Sequence, residues 1–298
     1  MQSEVTIKQY LKYFVFRQIK TILKKIQLFF IKRPSLNSDH REIKIIVSLT
    51  SHSTRIRNVD LTIKTLFKQT TCADKIILNL SKNEFNDNNI PKSLLKLQKN
   101  GLEINYVSDT RSYKKLIPTL TNHPNDIIIT ADDDILYPSY LIQRLIAAYE
   151  KNPNMSHGCR GYMMQLSKDN TFEKYGTWPK CKYPTYGNNI MLTGIGSVLY
   201  GPRCFHKDVL REDLFMQLAP TADDLWFKAM CLLNNTPSNV VIRQKQFKAD
   251  FMPTNNSMIN PLKAVNVKKG GNNKAIASIL NSYPELLNHL EKITQHDL

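Results

Sequence analysis

"IITADDDILYP", residues 128–138, drives an apolar run straight into three adjacent carboxylates, Asp132, Asp133 and Asp134. Ile135 and Leu136 resume the apolar pattern and Pro138 breaks it. The chain carries a formal charge of +16, so three negative charges side by side at the end of a buried strand stand out. Carboxylates at that range repel one another, and crowding them is costly unless a cation neutralises them or they protonate. Mg²⁺ or Mn²⁺, hard ions that take carboxylate oxygens and bridge phosphates, fit this composition. The plainer reading is a solvated acidic turn. In open α/β sheets ligands bind beyond the carboxyl ends of the strands, and the triplet follows such a strand directly.

Outward from this stretch, short β-branched runs predict strands at residues 44–49 (KIIVSL), 75–80 (KIILNL), 102–107 and 126–130 (DIIIT). Helical spacing falls at 58–69, 91–99 and 138–150. This alternation predicts a mostly parallel sheet with helices on both faces. After residue 150 the pattern is irregular, with short strands expected near 158–166 and 196–200. A helix is expected at 223–233, opened by acids that suit the positive end of its dipole. A last helix is expected through 273–290.

Composition bounds the class. The 298 residues are 42% hydrophobic and 22% charged, values of a folded globular protein. Five cysteines, odd in number and without a C-x-x-C pair, argue against a disulfide framework or a zinc site and fit a reducing cytosol. No apolar run approaches the roughly 18–20 residues that span a bilayer. Lys and Arg outnumber acids 41 to 25, which points to anionic partners without choosing among nucleic acid, anionic lipid and sugar nucleotides. No RNP, KH or zinc-finger pattern supports nucleic acid.

Residues 5–38 hold eight bases and no acid, with Leu11, Val15, Ile19, Ile22, Ile26, Phe29 and Phe30 near one helical face. This predicts residues 1–38 as a basic amphipathic helix and linker, lying on an anionic membrane surface through residues 5–33. A helix packed on its own domain is the alternative. Residues 39–298 form one domain, expected in the cytoplasm, peripheral to the inner face of the cell membrane.

The acidic triplet resembles the D-x-D signature of GT-A glycosyltransferases that use nucleotide sugars, specifically bacterial family-2-like enzymes of surface polysaccharide synthesis. "IIVSLTSHSTRI" resembles their first strand and donor-binding loop, "SDTRSYKKLIPTL" the segment beside the nucleotide, and "PTADDLWFKAM" the second acidic motif. The likeness runs over roughly residues 43–260. It implies a GT-A, Rossmann-like fold and Mn²⁺ or Mg²⁺ as cofactor. It further implies a nucleotide-sugar donor, UDP-linked by default, and a glycan or lipid-linked acceptor, with inversion by direct displacement. Under it Asp132 and Asp134 face the metal and Asp133 turns toward the donor. Thr50, Ser51, Arg55, Lys115, Gly194 and Gly196 line the donor site. Asp224 is the catalytic base, with Asp223 as its substitute.

Weaker candidates are Lys114 and Arg160 for the diphosphate, Trp178 and Trp226 for stacking, and His157, His206 or His289 as a third metal ligand. The acid that reads uracil in many such enzymes is missing after the second strand, where only Ser81, Asn83 or Glu84 could serve. Two rivals stand beside this reading. One is a Mg²⁺-dependent nucleotidyltransferase, although residues 43–100 lack the glycines of an early phosphate loop. The other is a non-catalytic protein binding an anionic surface or nucleic acid.

Overall fold

The computed structural model describes residues 19, 21–24, 26–28, 35–167, 171–254, 266 and 270–290. The first half of the domain alternates as its periodicity requires: β1 (Ile45–Thr50), α1 (Val59–Phe67), β2 (Lys75–Ser81), α2 (Lys92–Gln98), β3 (Leu102–Val107), α3 (Ile117–Asn122) and β4 (Ile127–Ala131). After β4 come β5 (Ile135–Leu136), α4 (Leu141–Lys151), β6 (Ser156–Gly158), β7 (Gly161–Met163), β8 (Thr185–Gly187), β9 (Ile190–Leu192) and β10 (Val198–Tyr200). The chain then forms α5 (Glu212–Leu218), α6 (Asp223–Leu233), β11 (Ser238–Val240), α7 (Gln244–Asp250), β12 (Met252–Pro253) and α8 (Gly271–Ser282).

Eight strands form one sheet in the order β3-β2-β1-β4-β10-β6-β11-β8. The neighbours from β3 to β4 pair in parallel, as do β6 and β11, while β10 and β8 run antiparallel to their neighbours. This is a mostly parallel α/β sheet flanked by helices, Rossmann-like, as the strand–helix alternation predicts.

Strand β4 shows why the triplet's neighbours are apolar. Ile127 and Ile129 enter the core under α1, α2 and α4, while Ile128 enters the opposite core with Phe215, Trp226 and Phe227. Successive side chains point to opposite faces, so a strand buried on both sides reads as a continuous apolar run.

Three expectations shift by a few residues. The strand expected at 158–166 is two strands, β6 and β7, with Cys159 and Arg160 between them. The strand expected from 196 begins at Val198, because Gly196 and Ser197 hold φ of +99° and +86°. The last helix stops at Ser282 and gives way to a 3₁₀ turn, Pro284–His289. Proline lacks the N–H that would continue the ladder and restricts the residue before it.

Most of the amino-terminal helix lies outside the described residues. Its described part packs on the domain: Leu28 is buried with Leu136 and Met252, and Lys24 Nζ donates to Tyr137 O at 2.6 Å. Ile19, Ile22, Leu23 and Ile26 face outward. The alternative of a helix packed on its own domain describes this part. No helix among the described residues is long and apolar enough to cross a membrane.

Candidate functional site

Chain order fixes where a site can form. From β1 the chain moves outward to β2 and β3, then returns to β4 on the other side of β1. The crevice at this reversal, past the carboxyl ends of β1 and β4, is where ligands bind in open α/β sheets. Thr50 and Ser51 leave β1 there, and Asp132–Asp134 leave β4.

The turn after β4 sends its acids in two directions. Asp133 is fully engaged: Ser51 Oγ donates to its Oδ2 at 2.6 Å and Arg55 Nη1 to its Oδ1 at 3.0 Å. The same Arg55 Nη1 lies 3.1 Å from Asp134 Oδ2. Burial raises the Asp134 pKa, while Arg55 opposes that rise. The Asp132 N–H donates to the Tyr137 hydroxyl at 2.7 Å, which pins the turn. Thr62 Oγ1 holds the Asp133 carbonyl at 3.0 Å.

Asp132 faces a second group. Lys115, buried at the end of a 3₁₀ turn (Arg111–Lys115), places Nζ 2.7 Å from Asp223 Oδ2 and 3.3 Å from Asp224 Oδ1. Asp224 Oδ2 accepts the Gly194 N–H at 2.9 Å, and Ser112 Oγ donates to Asp223 Oδ1 at 2.8 Å. Both aspartates open α6, as the sequence suggests. Gly194 is where this group converges. A Cβ there would lie 2.5 Å from Lys115 Nζ, 3.0 Å from Asp224 Oδ1 and 3.6 Å from Asp132 Oδ1.

The electrostatics follow from the count. Asp132, Asp223 and Asp224 share one ammonium. Burial works against the Lys115 charge, but Asp223, Asp224 and Asp132 together raise its pKa well above the ordinary lysine range. Asp132 is pushed up to about 7, first by burial, with Asp134, Asp224 and Asp133 adding to the rise and Lys115 opposing it. Burial likewise raises Asp224. The carboxylates exceed the cations available to them. Among the described residues no three His, Cys, Asp or Glu groups gather closely enough to hold a metal ion unaided. Two carboxylates with substrate phosphates are a usual Mg²⁺ environment, and Asp132 and Asp224 supply that donor set.

The other sequence candidates scatter. Thr50 Oγ1 is spent on Asn79 O at 2.7 Å, inside the sheet. A Cβ on Gly196 would run into the Phe247 ring, so its bareness serves packing against α7. Lys114 pairs with Asp109. Trp178 and Trp226 are buried in the core and offer no stacking face. His157 bonds Asn152 O, His206 caps a turn at Asp208 N, and His289 meets Asn235 Oδ1. Glu84 Oε2 accepts the Ser53 N–H at 2.8 Å and so braces the loop after β1. Tyr137 and Ser112 are not among the sequence candidates, since nothing in a lone tyrosine or serine marks the backbone or carboxylate it will hold.

No family model matches the chain, and no curated protein matches it. Among solved structures it is similar to a 4-diphosphocytidyl-2C-methyl-D-erythritol synthase, with TM-score 0.32 and 9% identity over 47% of this chain and 72% of that one. It is also similar to the synthase of that name from Anaerococcus prevotii, with TM-score 0.36 and 16% identity over 59% of this chain and 77% of that one. Scores this low give no residue a role.

These findings correct the expectation of a glycosyltransferase of surface polysaccharide synthesis. The matched structures are named as synthases of a diphosphocytidyl compound. The UDP-sugar donor and the glycan or lipid-linked acceptor fall with it. The expected contact of residues 5–33 with an anionic membrane surface falls mostly outside the described residues; within them, Lys24 and Leu28 turn to the domain. The physical reason is that an acid cluster beyond a parallel strand does not say which bond a site breaks.

Proposed function

We propose that the chain is a divalent-metal-dependent nucleotidyl-transfer enzyme, binding a nucleoside triphosphate at the carboxyl ends of β1 and β4. The observation that carries this reading is the convergence of Asp132, Asp224 and Lys115 on the bare Cα of Gly194. Asp132 and Asp224 are the residues that would hold Mg²⁺ or Mn²⁺. When bound, the ion supplies positive charge to a departing pyrophosphate and to the phosphorus under attack.

Lys115 is a permanent cation, since its acids keep it charged, and it is set to meet phosphate oxygens as they gain charge. Gly194 leaves room for a phosphate to approach. Arg55 and Ser51 hold Asp133, and through it the turn that presents Asp132. In the transfer, an acceptor oxygen bonds to the α-phosphorus as the bond to the bridging oxygen breaks, and pyrophosphate leaves with both bonding electrons. Lys115 orients the Asp224 carboxylate at one oxygen and the Gly194 N–H at the other, each oxygen keeping a lone pair for the ion.

Calorimetric titration of the four nucleoside triphosphates, with and without Mn²⁺, tests the reading. At least one is expected to bind only with the metal and to yield pyrophosphate when an acceptor is present. Absence of metal-dependent binding for all four rejects it.

A further inference from the structure

The described residues of the amino-terminal helix present two opposed faces. Thr21 and Leu28 are buried and Lys24 is half-buried, at the i, i+3 and i+7 positions of one face. Leu28 packs with Leu136 and Met252, and Lys24 Nζ donates to Tyr137 O at 2.6 Å. Ile19, Ile22, Leu23 and Ile26, at i, i+3, i+4 and i+7, are each half exposed. At 3.6 residues per turn the centres of the two sets lie about 180° apart. Fixing the first face on the domain therefore turns the second away from it.

Single exposed apolar side chains are ordinary on any protein surface, but a contiguous stripe of them is not. No other helix or strand among the described residues exposes more than one large apolar side chain. The stripe also stands on a fixed support. Tyr137, whose carbonyl takes Lys24, accepts the Asp132 N–H on its hydroxyl at 2.7 Å, so one residue joins the helix to the acid turn.

Charge chooses the partner. Residues 5–38 carry eight bases and no acid. A second copy would bring the same bases and nothing to neutralise them, so the helix pairing with itself gathers repulsion. The boundary between lipid headgroups and acyl chains takes isoleucine and leucine without requiring hydrogen bonds. Anionic headgroups beside it attract lysine and arginine.

We infer that Ile19, Ile22, Leu23 and Ile26 form a docking surface for an anionic lipid bilayer, with the domain held behind the helix. The inference does not rest on the nucleotidyl-transfer reading.

The test is co-flotation of the full chain with vesicles of phosphatidylglycerol and phosphatidylcholine, and with vesicles of phosphatidylcholine alone. The wild type is expected to float with the anionic vesicles, to bind the neutral ones at least about tenfold more weakly, and to release in high salt. The double variant Ile22→Ser, Leu23→Ser and the single variant Ile26→Ser remove apolar surface at two places without changing charge. The double variant is expected to weaken anionic-vesicle binding by at least about tenfold, and the single variant by less. All three residues are exposed, so circular dichroism is expected to be unchanged. Ile43→Ser, an exposed isoleucine outside the stripe, is expected to bind as the wild type does. Failure of the wild type to float, equal binding to neutral vesicles, or full binding by both stripe variants overturns the inference. So does a wild-type dimer in sedimentation equilibrium that the double variant abolishes, which assigns the stripe to a second copy.

Discussion

Gly194 has no side chain because Lys115 occupies the space one would fill. An alanine there places Cβ 2.5 Å from Nζ. The lysine cannot simply swing away, since Asp223 and Asp224 hold it. Gly194→Ala is expected to cost about 1–3 kcal/mol of stability and to weaken metal-dependent nucleotide binding by about tenfold; unchanged affinity would separate Gly194 from the site. Lys115→Met strips the cation from buried Asp223 and is expected to cost about 3–5 kcal/mol in urea unfolding, as broken buried pairs do.

Asp74 gives the pH dependence at this scale. Its carboxylate accepts from the Ile45 N–H at 2.7 Å, Asn37 Nδ2 at 2.6 Å and Arg41 Nη1 at 2.9 Å. Burial alone would raise its pKa; these donors together hold it below the ordinary value. A depressed carboxylate contributes stability above its unfolded pKa and loses it as pH falls through the folded one. Asp74→Ala is therefore expected to cost about 1–2 kcal/mol at pH 7, with the gap to wild type closing as pH drops below the carboxylate range. A gap that widens in acid would contradict this. The sequence marks acids as a group, but it does not separate Asp74, Asp133 and Asp132, whose roles differ by which donors the fold brings to them.

Elements were legible where periodicity is strong. β1 to β4 and the helices between them follow from β-branched runs and 3.6-residue spacing, and α6 from its opening acids. The three-residue β8 and β9, which join different sheets, and the short α5 and α7 carry too few residues to show a period. The 3₁₀ turn that aims Lys115 is invisible for the same reason. Packing of α3 on the sheet is also unreadable, because it is polar. Ser48 Oγ lies 2.7 Å from Thr119 Oγ1, and Asn79 Nδ2 donates to both at 3.1 and 3.0 Å. All three are buried. Replacing Asn79 with Leu takes the donor from Ser48 and Thr119 and is expected to cost about 1–3 kcal/mol. A neutral result in thermal unfolding would show that these two hydroxyls satisfy each other.

At the scale of the molecule, one sheet joins two apolar cores, one under α1, α2 and α4 and one under α5, α6 and α8. Strands β4 and β10 contribute to both, so neither core can dissolve alone. Urea unfolding is expected to give coincident transitions by tryptophan emission and far-ultraviolet circular dichroism, since Trp178 and Trp226 sit in the second core while helices flank both. An earlier loss of tryptophan signal would mean the second core opens separately. The same sheet explains the limit of the sequence reading: it brings to one crevice acids, a lysine and a glycine that lie far apart in the chain. A motif read without its partners named the wrong reaction.

The central claim is that Asp132 and Asp224, balanced by Lys115, grip a metal–nucleotide complex. The most direct measurement is calorimetric titration of nucleoside triphosphate into wild type and Asp132→Asn, each with and without Mn²⁺. The account predicts binding by the wild type only with Mn²⁺ and at least about a tenfold loss in Asp132→Asn with circular dichroism unchanged. Equal affinity in the two proteins, or wild-type binding indifferent to the metal, would contradict it.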